Sequence, residues 1–153
     1  MKITLRREVA APVETVFDTI AHIDNYMQVV PEIVGVEHLS ETRRGVGARF
    51  RETRRMRGRE ASTVLEVTEY VPNERVRLVS EAGGTVWETV FTVRPAGNGS
   101  AVAMEMTATP KALPMRLLLP LMRRPIAAAI ESDLDAVKSW CEANGAGDSA
   151  APR

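Results

Sequence analysis

Glu52 and Arg54 are the side chains best placed to do polar chemistry. They lie two residues apart in a run of strand character, which puts both on one face of a strand. Burying either alone would be costly, so the two are expected to pair or to meet water at the mouth of a cavity. Paired there, they would orient the polar end of a bound molecule. His22, His38 and Cys141 are the remaining reactive types. Neither histidine falls in a Ser/His/Asp or Cys/His pattern, so each reads as a surface or capping residue. Two distant histidines and one helical cysteine offer no metal-ligand spacing, and no metal or cofactor is expected. Cys141 sits on an apolar helical stripe and reads as core.

Two further motifs invite a sharper reading and lose it. Gly45-Val46-Gly47 precedes a strand rather than a helix, so the geometry of an anion-binding loop is missing and a tight turn at a cavity rim is expected. Arg43 to Arg59 holds eight arginines. Glu41, Glu52, Glu60 and Glu66 interleave with that run or flank it, and no aromatic interleaving offers stacking platforms. A solvated outer face is the expectation, with no nucleic-acid partner.

These residues need elements to position them. The chain has 153 residues, enough for one domain with a real core. Lys+Arg and Asp+Glu are both 20, which predicts no global attraction to nucleic acid or anionic membrane. A single cysteine and the lack of a continuous apolar run at the N-terminus point to a reducing, cytoplasmic setting. The most apolar stretch, Leu113 to Met122, is interrupted by prolines and too short to span a bilayer.

Ile3, Leu5 and Val9 alternate as a strand, which leaves Arg7 inward unless a bulge turns it out. Pro12 opens a helix whose apolar stripe is Val13, Val16, Phe17, Ile20 and Ala21. Asp24 is expected to cap a second short helix that ends before Pro31. A strand from Ile33 to Leu39 follows.

The centre of the chain reads as a meander of hairpins. A two-residue turn at Arg57-Gly58 sets Phe50 opposite Leu65, Ala48 opposite Val67, Glu52 opposite Thr63 and Arg54 opposite Ala61. The other face then pairs Arg55 with Glu60 and Arg49 with Glu66, so one register satisfies both faces. A turn at Gly83-Gly84 sets Val76 opposite Phe91, Leu78 opposite Thr89 and Ser80 opposite Trp87. Pro95–Gly99 reads as a longer turn, after which Val102, Met104 and Met106 alternate inward. Met122, Ile126, Ile130, Leu134, Val137 and Cys141 then step by three or four along a long helix expected to end at Gly145.

The inner face of this sheet is unusual. Ala48, Ala61, Thr63, Ser80, Thr89, Glu52 and Arg54 are too small or too polar to fill an interior against one helix. Most of them gather at the end of the sheet that carries the Arg57-Gly58 and Gly83-Gly84 turns, whereas the opposite end is apolar and branched. A cavity is therefore expected between sheet and helix. Its predicted wall is Phe50, Glu52, Arg54, Thr63, Leu65, Leu78, Ser80, Trp87, Thr89, Phe91, Met104, Met106, Met122 and Ile126, with the methionines, Met115 among them, adapting to a ligand.

The order strand, two short helices, six strands, long helix, together with APVETVFDTIAHIDNY, GVGARFRET, VTEYVPNERV and DLDAVKSW, resembles the polyketide cyclase/dehydrase group of the START-like, helix-grip superfamily. The resemblance covers about residues 1–143. It implies an α+β helix-grip fold, a curved antiparallel sheet of about seven strands around a long C-terminal helix, over residues 1–145, with 146–153 as a flexible tail. It implies a small hydrophobic ligand: a lipid, isoprenoid, quinone or polyketide-like compound. It also implies an alternative, a cyclase or dehydratase in which Arg54 polarises a carbonyl and Glu52 or Tyr26 moves a proton. A third reading is a protein-interaction module using the sheet surface, which a sealed, filled core would favour. LPMRLLLPLMRRP would form a lid or helix start over the cavity mouth, with transient membrane contact through Leu113–Met122. The oligomeric state is left open.

Overall fold

The computed structural model describes residues 1–150. Strand β1 (Lys2–Val9) is followed by helices α1 (Val13–Ala21) and α2 (Ile23–Val29). Six strands come next: β2 (Ile33–His38), β3 (Arg49–Met56), β4 (Arg59–Val71), β5 (Arg75–Ala82), β6 (Thr85–Ala96) and β7 (Gly99–Pro110). Helix α3 (Leu113–Ala150) closes the chain. The strands form one antiparallel seven-stranded sheet in the order β1-β7-β6-β5-β4-β3-β2, so β1 and β2 are its edges.

Both glycine-containing hairpins adopt the register that alternation predicts. Phe50 pairs with Leu65, Glu52 with Thr63, Arg54 with Ala61, Arg55 with Glu60 and Arg49 with Glu66. The Val67 N–H extends the ladder to the Ala48 carbonyl at 2.9 Å. Val76 pairs with Phe91, Leu78 with Thr89 and Ser80 with Trp87. Arg57 and Gly58 have φ of +53° and +77°, as a twist-matched two-residue turn demands. The third turn differs from expectation. Pro95 and Ala96 still pair, with Ser100 and Gly99, so the connection shrinks to Gly97-Asn98. Gly97, at φ +56°, supplies the left-handed backbone of this turn, and Gly99 lets β1 approach, since a Cβ there would overlap the Val9 carbonyl oxygen. Asp24 is not a cap either. α2 begins at Ile23 with His22 at its N-cap, and Asp24 instead lies 2.9 Å from His38 Nε2.

The core gathers at the apolar end of the sheet, where Val16, Val30, Val76, Val102, Leu134, Val137 and Cys141 are fully buried. The C-terminal half of α3 is pinned to the corner between β1 and α1. Glu142 accepts the Ala10 N–H at 2.9 Å, and Lys138 donates to the Glu8 carbonyl. Gly145 does not end the helix, which continues to Ala150. Its missing side chain serves packing instead, because a Cβ there would come within 2.8 Å of Ala11 Cβ. Residues 151–153 of the expected tail lie outside the described residues. Arg7 follows the unbroken β1–β7 register inward and meets Asp135 of α3 at 2.8 Å, away from the cavity wall.

The N-terminal part of α3 runs through Pro120 and Pro125. Pro114 costs little in the first turn, but Pro120 and Pro125 leave the Arg116 and Leu121 carbonyls without helical donors. Leu119, 2% exposed, anchors the segment, and Lys111 N–H bonds to the Gly84 carbonyl.

Candidate functional site

A cavity of about 580 Å³ lies between the inner face of the sheet, α1, α2 and α3. Its position follows from side-chain size. At the turn end of the sheet Ala61, Thr63, Ser80 and Thr89 are too short to reach α3, so space remains. The structure places all fourteen wall residues named from the sequence on this one cavity, and Tyr26 with them. Met115 is not on the wall; it lies near Gly84 instead. None of Gly45, Val46 and Gly47 is at the rim. Trp87 donates its Nε1–H to the Ala82 carbonyl at 3.2 Å, which fixes the indole in the wall.

One polar cluster interrupts the apolar lining. Arg54 Nε donates to Glu52 Oε1 at 2.5 Å. Its Nη1 and Nη2 donate to the two oxygens of Asp133 at 3.3 and 2.9 Å. The Tyr26 hydroxyl donates to Asp133 Oδ2 at 3.2 Å. Asp133 and Tyr26 are buried, at 4% and 7% exposure, and the Arg54 side chain is a quarter exposed. Burial pulls the Arg54 pKa down, but the Glu52 and Asp133 carboxylates outweigh it and hold the guanidinium charged. Burial first, and then the neighbouring Asp133, push the Tyr26 phenol well above its ordinary value. Tyr26 is thus a neutral hydrogen-bonding group at any ordinary pH.

Sequence reasoning missed Asp133. The signal was there: Asp133 stands seven residues after Ile126 and directly before Leu134, an acid on the face that the apolar stripe buries. Such an acid needs a cation, and Arg54 is one of the two, with Arg7, that alternation turns toward the helix.

The histidines stand apart from the cavity wall. His22 is buried beside α1, its Nε2 3.2 Å from Asp18, rather than on the surface. Burial, and secondarily Arg44, lower its pKa. Cys141 is a free buried thiol 3.5 Å from Thr19 Oγ1, and burial raises its pKa. Of the arginine-rich run, Arg51 and Arg55 pair with Glu37 and Glu60 on the outer face. No helix among the described residues is long and apolar enough to cross a membrane.

A curved antiparallel sheet wrapped on a long C-terminal helix over an internal cavity defines the START-like, helix-grip class. The chain belongs to the family described as "Polyketide cyclase / dehydrase and lipid transport", which matches residues 1–142. No curated protein matches the sequence. Among solved structures, TTHA0849 from Thermus thermophilus is similar at 20% identity and a TM-score of 0.77, over 94% of this chain and 99% of that one. The di-domain ARO/CYC StfQ from the steffimycin biosynthetic pathway is similar at 14% identity and a TM-score of 0.78, over 94% of this chain and 51% of that one. Ara h 8.0201 is similar at 12% identity and a TM-score of 0.69, over 92% and 97%. At these identities the likenesses establish the fold. Fold and family together support hydrophobic-ligand binding or polyketide cyclisation in general terms.

Proposed function

We propose that this chain binds or carries a small hydrophobic molecule, a lipid, isoprenoid, quinone or polyketide-like compound, inside the cavity between sheet and α3. The observation that carries this reading is a space of about 580 Å³ with mostly apolar walls and one convergent polar cluster. That volume falls within the range of sites for drug-sized ligands. Burying roughly 300 Å² of ligand apolar surface would contribute about 7 kcal/mol before the costs of association. Met104, Met106 and Met122 let the wall adapt to ligand shape. The cluster of Glu52, Arg54, Asp133 and Tyr26 orients the polar end. Extraction and mass analysis of compounds that co-purify with the protein tests the reading.

Loading takes place at a membrane surface in this proposal. Leu113, Leu117, Leu118 and Leu121 are 67%, 71%, 45% and 78% exposed on the start of α3, just ahead of the cavity-lining Met122. Lys111, Arg116, Arg123 and Arg124 accompany them, and no acid occurs from 111 to 130. Apolar insertion flanked by cations suits an anionic lipid surface. The buried, unpaired thiol of Cys141 suits a reducing, cytoplasmic setting.

The cyclase or dehydratase reading draws on the family and, within the site, on the buried Tyr26 hydroxyl on Asp133. It is the weaker reading because the two carboxylates that engage Arg54 offset its charge and so its power to polarise a carbonyl. Turnover of a poly-ketone mimic that is lost in Tyr26→Phe would favour it.

A further inference from the structure

A hydrophobic cavity says little about the polar end of its ligand; the buried cluster says more. A guanidinium has five N–H donors. In Arg54 one is spent on Glu52 and two on the paired oxygens of Asp133. The planar fork that would grip a ligand carboxylate or phosphate is therefore already filled by a side chain of the protein. The formal charge balance points the same way: two carboxylates, Glu52 and Asp133, surround one guanidinium, and Tyr26 adds a neutral hydroxyl. An anionic head would have to displace Asp133 and then sit beside two like charges in a poorly hydrated space. The other charged residue of the wall, Arg59, is exposed, where water and salt screen it.

What the cluster still offers is complementary to a hydroxyl. Glu52 Oε1 is taken by Arg54, while Oε2 has no hydrogen-bond partner among the described residues. Arg54 retains two N–H groups beyond the three it uses. One oxygen that both donates and accepts satisfies the two together: it donates to Glu52 and accepts from Arg54. A ketone can only accept, and an ammonium can only donate. We infer that the cavity selects apolar molecules ending in an alcohol or phenol hydroxyl and rejects the corresponding carboxylates and phosphates. Glu52 and Asp133 then act as specificity determinants that set the charge of the site, and Arg54 holds both in place. The inference rests on the cavity being a hydrophobic-ligand site.

The test uses three probes that share one ten-carbon tail: decanol, decylamine and decanoate. Their affinities are measured at pH 8 by calorimetry on the full chain, with displacement by a neutral apolar dye as a second readout. Decanol is expected to bind at least tenfold more tightly than decanoate, with decylamine between them. Glu52→Gln removes one negative charge at nearly constant size and should shrink the decanol-to-decanoate ratio severalfold while dye binding persists. Asp133→Asn should shrink it further by freeing the guanidinium fork. If Asp133→Asn does not fold, the Glu52→Gln ratio decides alone. Decanoate binding as tightly as decanol overturns the head-group inference and leaves the cavity reading standing. An unchanged ratio in folded Glu52→Gln also overturns it. If neither the dye nor any probe binds, the cavity reading itself fails, a result separable from the other two.

Discussion

Asp133→Asn is the substitution that probes the site most sharply for its contribution to folding. It changes almost no volume, so no cavity term enters. It removes the charge that accepts two N–H bonds from Arg54 at 2.9 and 3.3 Å and the hydroxyl of Tyr26 at 3.2 Å. Hydrogen bonds to a charged partner contribute about 1.5–3 kcal/mol each, and breaking a fully buried ion pair costs about 3–5 kcal/mol. Two features reduce the cost here. The Arg54 side chain is 25% exposed, and Glu52 still neutralises it. The expected destabilisation is therefore about 2 kcal/mol, which for a domain of this size lowers Tm by roughly 4–8 °C. Tyr26→Phe alone should cost about 1 kcal/mol, and less than half of that in the Asp133→Asn background, since the phenol then lacks its charged acceptor. Urea unfolding of the four proteins in the cycle measures both numbers. Wild-type stability in Asp133→Asn, or full additivity of the two substitutions, would refute the idea that the cluster is a coupled buried network.

Three further outcomes follow from the same structure. Gly99→Ala should destabilise by about 3 kcal/mol, because its Cβ would overlap the Val9 carbonyl oxygen. Gly35→Ala, with its nearest neighbour at 3.6 Å, should cost less than about 1 kcal/mol; equal losses in thermal melts would contradict the close-packed corner. The pKa of His22 is lowered, chiefly by burial, so the unfolded chain binds its proton first as pH falls. Its contribution to stability is present above the ordinary histidine value of about 6.5 and is lost as pH drops through and below it. Denaturant midpoints between pH 7.5 and 5 should fall less steeply in His22→Gln than in wild type, and parallel curves would rule the histidine out. Finally, Leu117→Ser with Leu121→Ser should weaken co-sedimentation with phosphatidylglycerol vesicles roughly tenfold while leaving Tm unchanged, since both side chains are more than two-thirds exposed. Undiminished vesicle binding would exclude this face as the membrane contact.

Much of the architecture could be read directly because local rules agreed with one another. At Arg57-Gly58 and Gly83-Gly84 the turn chemistry, the alternation and the cross-strand charges all select one register, and a one-residue slip would have inverted both faces. The cavity was legible for a less usual reason: small and polar residues on an inner face mark space that a single helix cannot fill. What escaped were features set by tertiary contact. Asp133 looks like one acid among several on α3 until Arg54 is brought opposite it across 79 residues of sequence. Gly145 looks like a helix stop, yet the approach of Ala11 explains it better. The helix also starts well ahead of Met122, where the stripe begins, and runs through Pro120 and Pro125 in a segment docked by Leu119 and Lys111. Asp24 had the right type and place for a cap, and the partner it found instead was His38 on a neighbouring strand.

Native mass spectrometry of the freshly purified protein, followed by solvent extraction and identification of anything released, tests the central claim most directly. The account predicts a bound apolar compound, or, from an empty protein, a thermal shift on adding apolar molecules that fit a cavity of about 580 Å³. A protein that carries nothing and gives no shift with lipids, isoprenoid alcohols, quinones or polyketide mimics would contradict it.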